Sequence, residues 1–239
     1  VFHESALPYT IDHLNDDEYK KNIPTLREMS LFAIEKMNKN PKGFVMQIEA
    51  GKVDWAAHGN DIAGLLYDQI AFDETVAAVM DFARKDGNTL VIVTTDHGNA
   101  NPGLMYGSKA DDNFDRLQRF KHSNYWVFKQ VRPGVSASQF KELMEFAQAT
   151  VLTDDEAKLI TNHINGVDDE DLKKPNKLPF MPLAEIQRNY TSVGWVSDNH
   201  TSDYVELTMF GPGSEMLKPF VKNYELHNFM LVACGASVN

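Results

Sequence analysis

Two short apolar runs separated by one long amphipathic segment constrain the fold of this chain more than any other feature. Residues 43–49 (GFVMQIE) and 88–95 (NTLVIVTT) are rich in apolar and β-branched residues, which is typical of strands buried on both faces. Residues 61–85 repeat apolar positions at helical spacing and end just before Gly87. A strand, a helix and a strand in this order predict a parallel pair joined by a right-handed crossover. The sequence therefore predicts an α/β core.

Further elements of this core are predicted near both ends of the chain. Residues 23–40 have apolar positions at helical spacing, with Pro24 in the first turn, and predict a helix. Residues 203–214 alternate apolar and polar side chains before a Gly-Pro-Gly stop, which predicts a strand. Residues 224–235 predict an amphipathic C-terminal helix.

The middle third of the chain has a different character. Residues 124–129 (NYWVFK) predict one possible strand, and residues 136–151 predict a helix. Thr153 and Glu156 form a capping-box pattern that begins a second helix. We interpret this region as an insertion subdomain on one end of the sheet. The expected organisation is a first core part, the insertion and a C-terminal core part, at residues 1–107, 108–190 and 191–239.

Composition excludes several classes of protein. A chain of 239 residues, 43% of them hydrophobic, is globular and can bury a full core. The formal net charge of −11 argues against a nucleic-acid or anionic-membrane surface, so small ligands or cations are the expected partners. No apolar run approaches membrane-spanning length. The lone Cys234 leaves the compartment open, and the start VFHESALPYTID resembles no natural N-terminus, so we expect processing or truncation.

Metal-competent side chains follow both predicted core strands. Glu49 ends the first strand, and Asp54 and His58 come soon after it with the i, i+4 spacing that places both on one helix face. Asp96 and His97 follow the second strand. Ligands in open α/β sheets gather beyond the carboxyl ends of the strands, so these groups are expected to lie close together. Mixed carboxylate and imidazole ligands favour zinc, and a carboxylate-only corner favours magnesium.

Each of these pairs also has a simpler explanation. Asp54 and His58 alone could form a surface ion pair or a helix cap, and Asp96 and His97 alone could be turn residues. Their occurrence at one sheet edge, beside Glu49, favours a multi-metal site. The histidines without a partner motif are expected to be structural or solvated: His3, His13, His122, His163 and His227.

Three segments taken together resemble the C-terminal half of bacterial alkaline phosphatases. They read QIEAGKVDWAAHGND (47–61), GNTLVIVTTDHGN (87–99) and SDNHTSDYVEL (197–207). The resemblance covers the chain on both sides of residues 108–190. It implies the αβα sandwich of the alkaline phosphatase superfamily with a crown-like insertion subdomain, in a protein that is usually a homodimer and periplasmic or secreted.

The same resemblance implies two zinc ions and one magnesium ion, carried over by motif. One zinc would be held by Asp54, His58 and His200, the second by Asp96 and His97, and the magnesium by Glu49.

The implied activity is hydrolysis of small phosphate monoesters through a phosphoserine intermediate. In the family the nucleophilic serine and the arginine that clamps phosphate lie in the N-terminal half, and neither context occurs in this chain. Ser197, Ser202 and Ser214 are better explained as loop and turn residues. We therefore expect the N-terminal half of the same protein to be a partner, and the isolated chain to be inactive.

Trp55 stands directly after the first metal ligand and is either a packing aromatic at a helix start or a residue that lines the phosphate pocket. A tryptophan there, in place of a cation, would restrain phosphate less and speed product release. Two alternatives to a phosphomonoesterase remain. One is a phosphodiesterase-type metallohydrolase of the same superfamily, and the other is a non-catalytic metal-binding fragment.

Overall fold

The computed structural model describes Phe2 and residues 6 to 237, and the chain divides into two compact units. No helix in this described part is long and apolar enough to cross a membrane. The first unit comprises Val1–Thr25, Gln47–Ala71 and Asn99–His200, and the second comprises Leu26–Met46, Phe72–Gly98 and Thr201–Asn239.

Helices dominate the secondary structure. The α-helices are α1 (Thr10–Leu14), α2 (Asp17–Asn22), α3 (Leu26–Met37), α4 (Gly51–His58), α5 (Ile62–Asp86), α6 (Ala110–Leu117), α7 (Asn124–Gln130), α8 (Ala137–Gln148), α9 (Asp154–Asn165), α10 (Phe180–Thr191) and α11 (Glu225–Ala233). The strands are β1 (Val91–Thr94), β2 (Gly98–Asn99), β3 (Gly103–Leu104), β4 (Val193–Gly194), β5 (His200–Thr201) and β6 (Leu207–Phe210).

The larger core of the first unit lies among α7, α8, α9 and α10. Its fully buried side chains include Phe128, Phe140, Met144, Ile160 and Leu183. Each of these helices buries one apolar stripe, so the four stripes together form a continuous interior. Burial of side chains of this size contributes roughly 1.5–3 kcal/mol each, so this cluster contributes substantially to the stability of the first unit.

Two capping boxes fix where helices of this core begin. Ser136 precedes α8 and exchanges hydrogen bonds with Gln139, and Thr153 precedes α9 and does the same with Glu156. Each box satisfies two backbone N–H groups that the helix itself leaves unpaired. The helix predicted at 136–151 and the capping-box start of the next helix are therefore confirmed.

A smaller core in the first unit positions α4. Tyr9 and Ile11 from the start of the chain pack with Ala56 of α4, Ala63 of α5 and Val193 of β4. Ala56 is completely buried, so the opposite face of the same short helix is turned outward. This arrangement leaves the side chains of α4 that carry chemistry accessible.

The second unit is built on an antiparallel pair of strands, β1 and β6. Val91 lies opposite Phe210, and Thr94 lies opposite Leu207. Gly211 ends β6 with a φ of +100°, and a Cβ there would lie 2.1 Å from the backbone oxygen of Thr89. Only glycine fits this turn, because any side chain would collide with the backbone.

The helices predicted at 23–40, 61–85 and 224–235 are confirmed as α3, α5 and α11. The first begins at Leu26, so Pro24 precedes it and does not lie in its first turn. The strand predicted at 203–214 is confirmed only for the four residues of β6.

The strand predicted at NYWVFK is wrong, because residues 124–130 form α7. Ser123 caps this helix by accepting a hydrogen bond from the backbone N–H of Trp126. Asn124, Val127 and Phe128 are buried at i, i+3 and i+4, which is helical spacing. Helical packing and the cap outweigh the strand propensity of the aromatic and β-branched residues.

The strand predicted at 43–49 is also wrong, and the parallel pair is not formed. Phe44, Met46 and Ile48 are partly buried while the residues between them are exposed, so the segment alternates as a strand would. A strand also needs ladder hydrogen bonds, and no part of the chain that the structure describes supplies them here. β1 pairs with β6 and not with this segment. The insertion boundaries at residues 108 and 190 stay a prediction.

Candidate metal centre

Three of the side chains predicted to bind metal meet in the first unit. Asp54 and His58 lie one turn apart on α4, and His200 begins β5. His58 Nε2 lies 3.6 Å from Asp54 Oδ2 and 3.1 Å from His200 Nε2. His200 Nε2 lies 3.9 Å from Asp54 Oδ1. One carboxylate and two imidazole nitrogens therefore lie within 4 Å of one another.

These separations match the spacing of ligands around zinc. Zinc binds nitrogen and oxygen at roughly 2.0–2.1 Å in a tetrahedron, which places neighbouring ligand atoms roughly 3.3–3.4 Å apart. The observed distances are 3.1 Å between the two Nε2 atoms, and 3.6 and 3.9 Å from these nitrogens to the two different oxygens of Asp54, so they lie near that value. Two imidazoles with one carboxylate form a donor set that zinc accepts in catalytic sites, where water completes the tetrahedron. Asp54, His58 and His200 thus form a possible metal site.

A backbone carbonyl sets the tautomer of His58. Its Nδ1 lies 2.6 Å from the carbonyl oxygen of Asp198, and a carbonyl can only accept, so Nδ1 carries the proton. In the neutral ring, Nε2 then presents its lone pair toward Asp54 and His200. This arrangement is the one that metal-binding histidines use, with the second nitrogen held by an outer partner.

Asn99 holds the carboxylate of Asp54. Its Nδ2 donates to Asp54 Oδ1 over 2.6 Å and approaches the backbone oxygen of Asp54 at 3.4 Å. This contact restrains one carboxylate oxygen and leaves Oδ2 toward His58. The Oδ1 atom of Asn99 is buried without a hydrogen-bond partner in the part of the chain that the structure describes. The sequence analysis missed Asn99, although it stands three residues after Asp96 in the same strand-end segment.

The loop that carries His200 is fastened to the residue after Asn99. Ala100 is completely buried, and its carbonyl oxygen accepts from the backbone N–H groups of Val196 and Ser197. The N–H of Ala100 donates to the carbonyl oxygen of Asn199. These bonds fix the backbone of the segment before His200 from both sides.

Asp96 and His97 lie in the second unit, in the turn after β1. His97 Nε2 lies 3.2 Å from Asp96 Oδ2, and the backbone N–H of His97 donates to Asp96 Oδ1 over 3.2 Å. The Thr95 hydroxyl donates to the carbonyl oxygen of His97. The two side chains are therefore neighbours, and their assignment to a second zinc stays a prediction.

Glu49 and Trp55 complete the set predicted from the sequence. Glu49 is exposed just before α4, and its role as a magnesium ligand stays a prediction. Trp55 is 52% exposed, with the Lys52 ammonium 4.1 Å from the centre of its ring. It also lines a small cavity of the first unit. A role for Trp55 in a phosphate pocket stays a prediction.

Two aspartates beside α4 are buried for structural reasons. Burial raises the pKa of Asp61 to about 7, against the hydrogen bonds from the backbone N–H groups of Gly64, Asn124 and Tyr125 that lower it. Asp61 also caps the N-terminus of α5, because its Oδ1 accepts a hydrogen bond from the backbone N–H of Gly64.

Burial likewise raises the pKa of Asp68 to about 6, although it accepts two hydrogen bonds from Thr10.

Other histidines and serines of the sequence analysis have structural contacts. His122 is buried against Asp12, and His13 bonds the carbonyl oxygen of Ile23. Ser197 accepts from the backbone of Asn199, which is turn chemistry. His3 lies outside the described residues.

Comparisons with known proteins match this chain over most of its length. A family model described as "Alkaline phosphatase" matches residues 1–236. Alkaline phosphatase 4 of Bacillus subtilis (strain 168) is 27% identical over 209 residues, which are 87% of this chain and 43% of that protein. The alkaline phosphatase of Escherichia coli (strain K12) is 40% identical over 89 residues, 37% of this chain and 19% of that protein.

A solved structure extends the match to three dimensions. The crystal structure of Thermus thermophilus alkaline phosphatase has a TM-score of 0.87 and 28% identity, over 100% of this chain and 53% of that one. A cold-active alkaline phosphatase from a psychrophilic Shewanella has a TM-score of 0.74 at 21% identity, which supports the fold alone. The chain spans about half the length of the relatives that match most of it.

Proposed function

Because this chain belongs to the alkaline phosphatase family, we propose that it supplies the C-terminal metal ligands of an enzyme that hydrolyses phosphate monoesters. It has the α/β fold of that superfamily. The observation that carries the proposal is the convergence of Asp54, His58 and His200, at distances that suit a tetrahedral ion.

The three metal sites are proposed as follows. Asp54, His58 and His200 hold one zinc, and the donor set, the spacing and the tautomer of His58 support this assignment. For the remaining sites, the support is the order and spacing of the motifs along the chain. In this proposal the second zinc is held by Asp96 and His97, and a magnesium ion by Glu49.

Metal ions in such a site act as Lewis acids that stabilise negative charge on the phosphoryl oxygens during transfer. The residues of this chain prepare that site. Asp54 supplies the negative charge that offsets a cation, and Asn99 fixes which carboxylate oxygen faces it. Asp198 and Ala100 hold the two histidines in place through the backbone. Trp55 lines the phosphate pocket in this proposal.

The nucleophile is proposed to come from outside this chain. A serine and a phosphate-clamping arginine in the N-terminal half of the same protein would form and stabilise a phosphoserine intermediate. Small phosphate monoesters are the proposed substrates. A homodimer in the periplasm or outside the cell is the proposed state of the whole protein.

Complementation tests this proposal. The chain alone is expected to hydrolyse p-nitrophenyl phosphate no faster than a zinc and magnesium blank. Adding the N-terminal half of the same protein is expected to restore turnover, and the variant His58→Ala is expected to lack it in the same mixture. Robust hydrolysis by the chain alone would contradict the proposal, because it would require a nucleophile within these residues.

A further inference from the structure

A small cavity in the first unit is lined by two lysines and several aromatic rings. Its volume is about 80 Å³, which is room for about two or three water molecules or one small oxyanion. Lys52 comes from α4 and Lys129 from α7. The aromatic residues that line it are Tyr9, Tyr19, Trp55, Tyr125 and Trp126.

Lys52 is partly buried in this cavity. Its Nζ lies 4.6 Å from the ring centre of Tyr9 and 4.1 Å from that of Trp55. It forms no ion pair with any residue that the structure describes. A desolvated ammonium without a carboxylate partner is costly, and ring faces offset only part of that cost. An anion in the cavity would offset more.

Lys129 provides a second positive charge in the lining of the cavity. It is exposed, lies 4.6 Å from the ring centre of Tyr125, and has no ion pair within the described part of the chain. The charge of Lys129 repels the Lys52 ammonium, while the charges of Asp68 and Asp12 attract it. The repulsion between the two lysines would be relieved by an anion that contacts both.

Asp12 supplies the carboxylate that lines the cavity, and its oxygens already have hydrogen-bond partners. Its oxygens accept from the backbone N–H and the hydroxyl of Ser123 and contact Nδ1 of His122. It therefore does not neutralise the lysines by direct contact. The whole chain carries a formal charge of −11 and repels anions in general, so an anion bound here would need a local site of this kind.

We propose that Lys52 and Lys129 bind a small tetrahedral oxyanion, phosphate or sulfate, in this cavity. Neither lysine is among the residues that bind metal in the proposed function, and the binding needs no metal ion. The site would bind inorganic phosphate in the same way whether it comes from solution or from ester hydrolysis.

The test is a titration of the metal-free chain, kept in a chelator, with inorganic phosphate at pH 7. Saturable binding is expected by calorimetry, and Lys52→Met and Lys129→Met are each expected to weaken it about 10-fold or more, since each removes a charge-assisted contact. Lys52→Arg keeps the charge and should retain most of the affinity. Lys158→Met, which removes an exposed lysine on α9, should leave binding unchanged.

Sulfate is expected to displace phosphate, and chloride at equal ionic strength is not. Equal phosphate affinity in the wild type, Lys52→Met and Lys129→Met would overturn the proposal, as would the absence of saturable binding. Lys129 is exposed, so its variant keeps the test valid if Lys52→Met fails to fold. The titration contains no zinc, so failure of the proposed function would leave its result unchanged.

Discussion

The Nε2 atoms of His58 and His200 lie 3.1 Å apart, although 142 positions of sequence separate the two residues. At this distance one Nε2 atom can donate a hydrogen bond to the other, or both can face one cation. The carbonyl oxygen of Asp198 accepts a hydrogen bond from Nδ1–H of His58, and Asp54 lies within 4 Å of both rings. The fold therefore brings one carboxylate and two imidazoles from distant parts of the sequence to one place.

Asn99 is expected to tune the metal affinity of this group. Asn99→Ala removes the 2.6 Å hydrogen bond to Asp54 Oδ1 and frees the carboxylate to rotate. Loss of such an outer partner typically weakens metal binding by about 10–100-fold. Zinc affinity of the chain, measured by competition with a chromophoric chelator, should fall by that amount. Asn162→Ala, an exposed change on α9, is the matched control and should not alter it.

Asp68 makes the stability of the chain depend on pH. Its pKa in the folded state is about 6, against 3.8 for the free side chain, mainly because it is buried. Between these two pH values the folded state therefore binds more protons than the unfolded state. The stability that protonated Asp68 contributes is complete below pH 4 and is lost as the pH rises through 6. The difference corresponds to at most about 3 kcal/mol in the free energy of unfolding.

Asp68→Asn is expected to flatten that dependence, because the amide mimics the protonated acid. Urea unfolding at several pH values between 4 and 7 measures the slope. Asp73→Asn changes an exposed residue of the same helix and should keep the wild-type slope. A slope for Asp68→Asn that equals the wild type would show that Asp68 does not titrate in this range.

The larger core of the first unit allows a stability prediction with a neighbouring residue as the control. Ile160 on α9 is fully buried, whereas its neighbour Leu159 is 57% exposed. Ile160→Ala leaves a cavity and should lower the free energy of unfolding by about 2–5 kcal/mol. Leu159→Ala should change it by no more than about 0.5 kcal/mol. Equal losses in chemical denaturation would mean that α9 does not bury the face described here.

Asp96 provides the test of the second proposed zinc. In the full-length enzyme, Asp96→Ala should lower kcat for p-nitrophenyl phosphate by more than about 100-fold, since loss of an outer partner alone can cost that much. The fold should survive, because Asp96 is exposed in its turn. Near-normal kcat would leave Asp96 and His97 as turn residues.

Much of the candidate site could be predicted from the sequence, because spacing and order carry the information. Asp54 and His58 are one helical turn apart, so any helix over these residues aligns them. The resemblance supplied His200, which no local pattern could connect to α4. Helices with capping boxes, such as α9, were equally predictable because their signals lie within a few residues.

Other features depend on tertiary contacts that no local pattern encodes. Residues 124–130 became a helix because Ser123 caps them and their buried positions fit a helical core. Residues 43–49 alternate as a strand does, but strand pairing requires a neighbour that the described chain does not provide. Asn99 and the lysines of the cavity gained their roles from partners at least 45 positions away in the sequence or on another helix.

The central claim is that Asp54, His58 and His200 bind one zinc ion, and zinc titration of the 239-residue chain tests it most directly. The account predicts that the wild-type chain binds one zinc tightly and that His200→Ala weakens this binding by more than about 100-fold. His227→Ala, an exposed histidine of α11, should bind zinc as the wild type does. Zinc stoichiometry and affinity that are unchanged in His200→Ala would contradict the account.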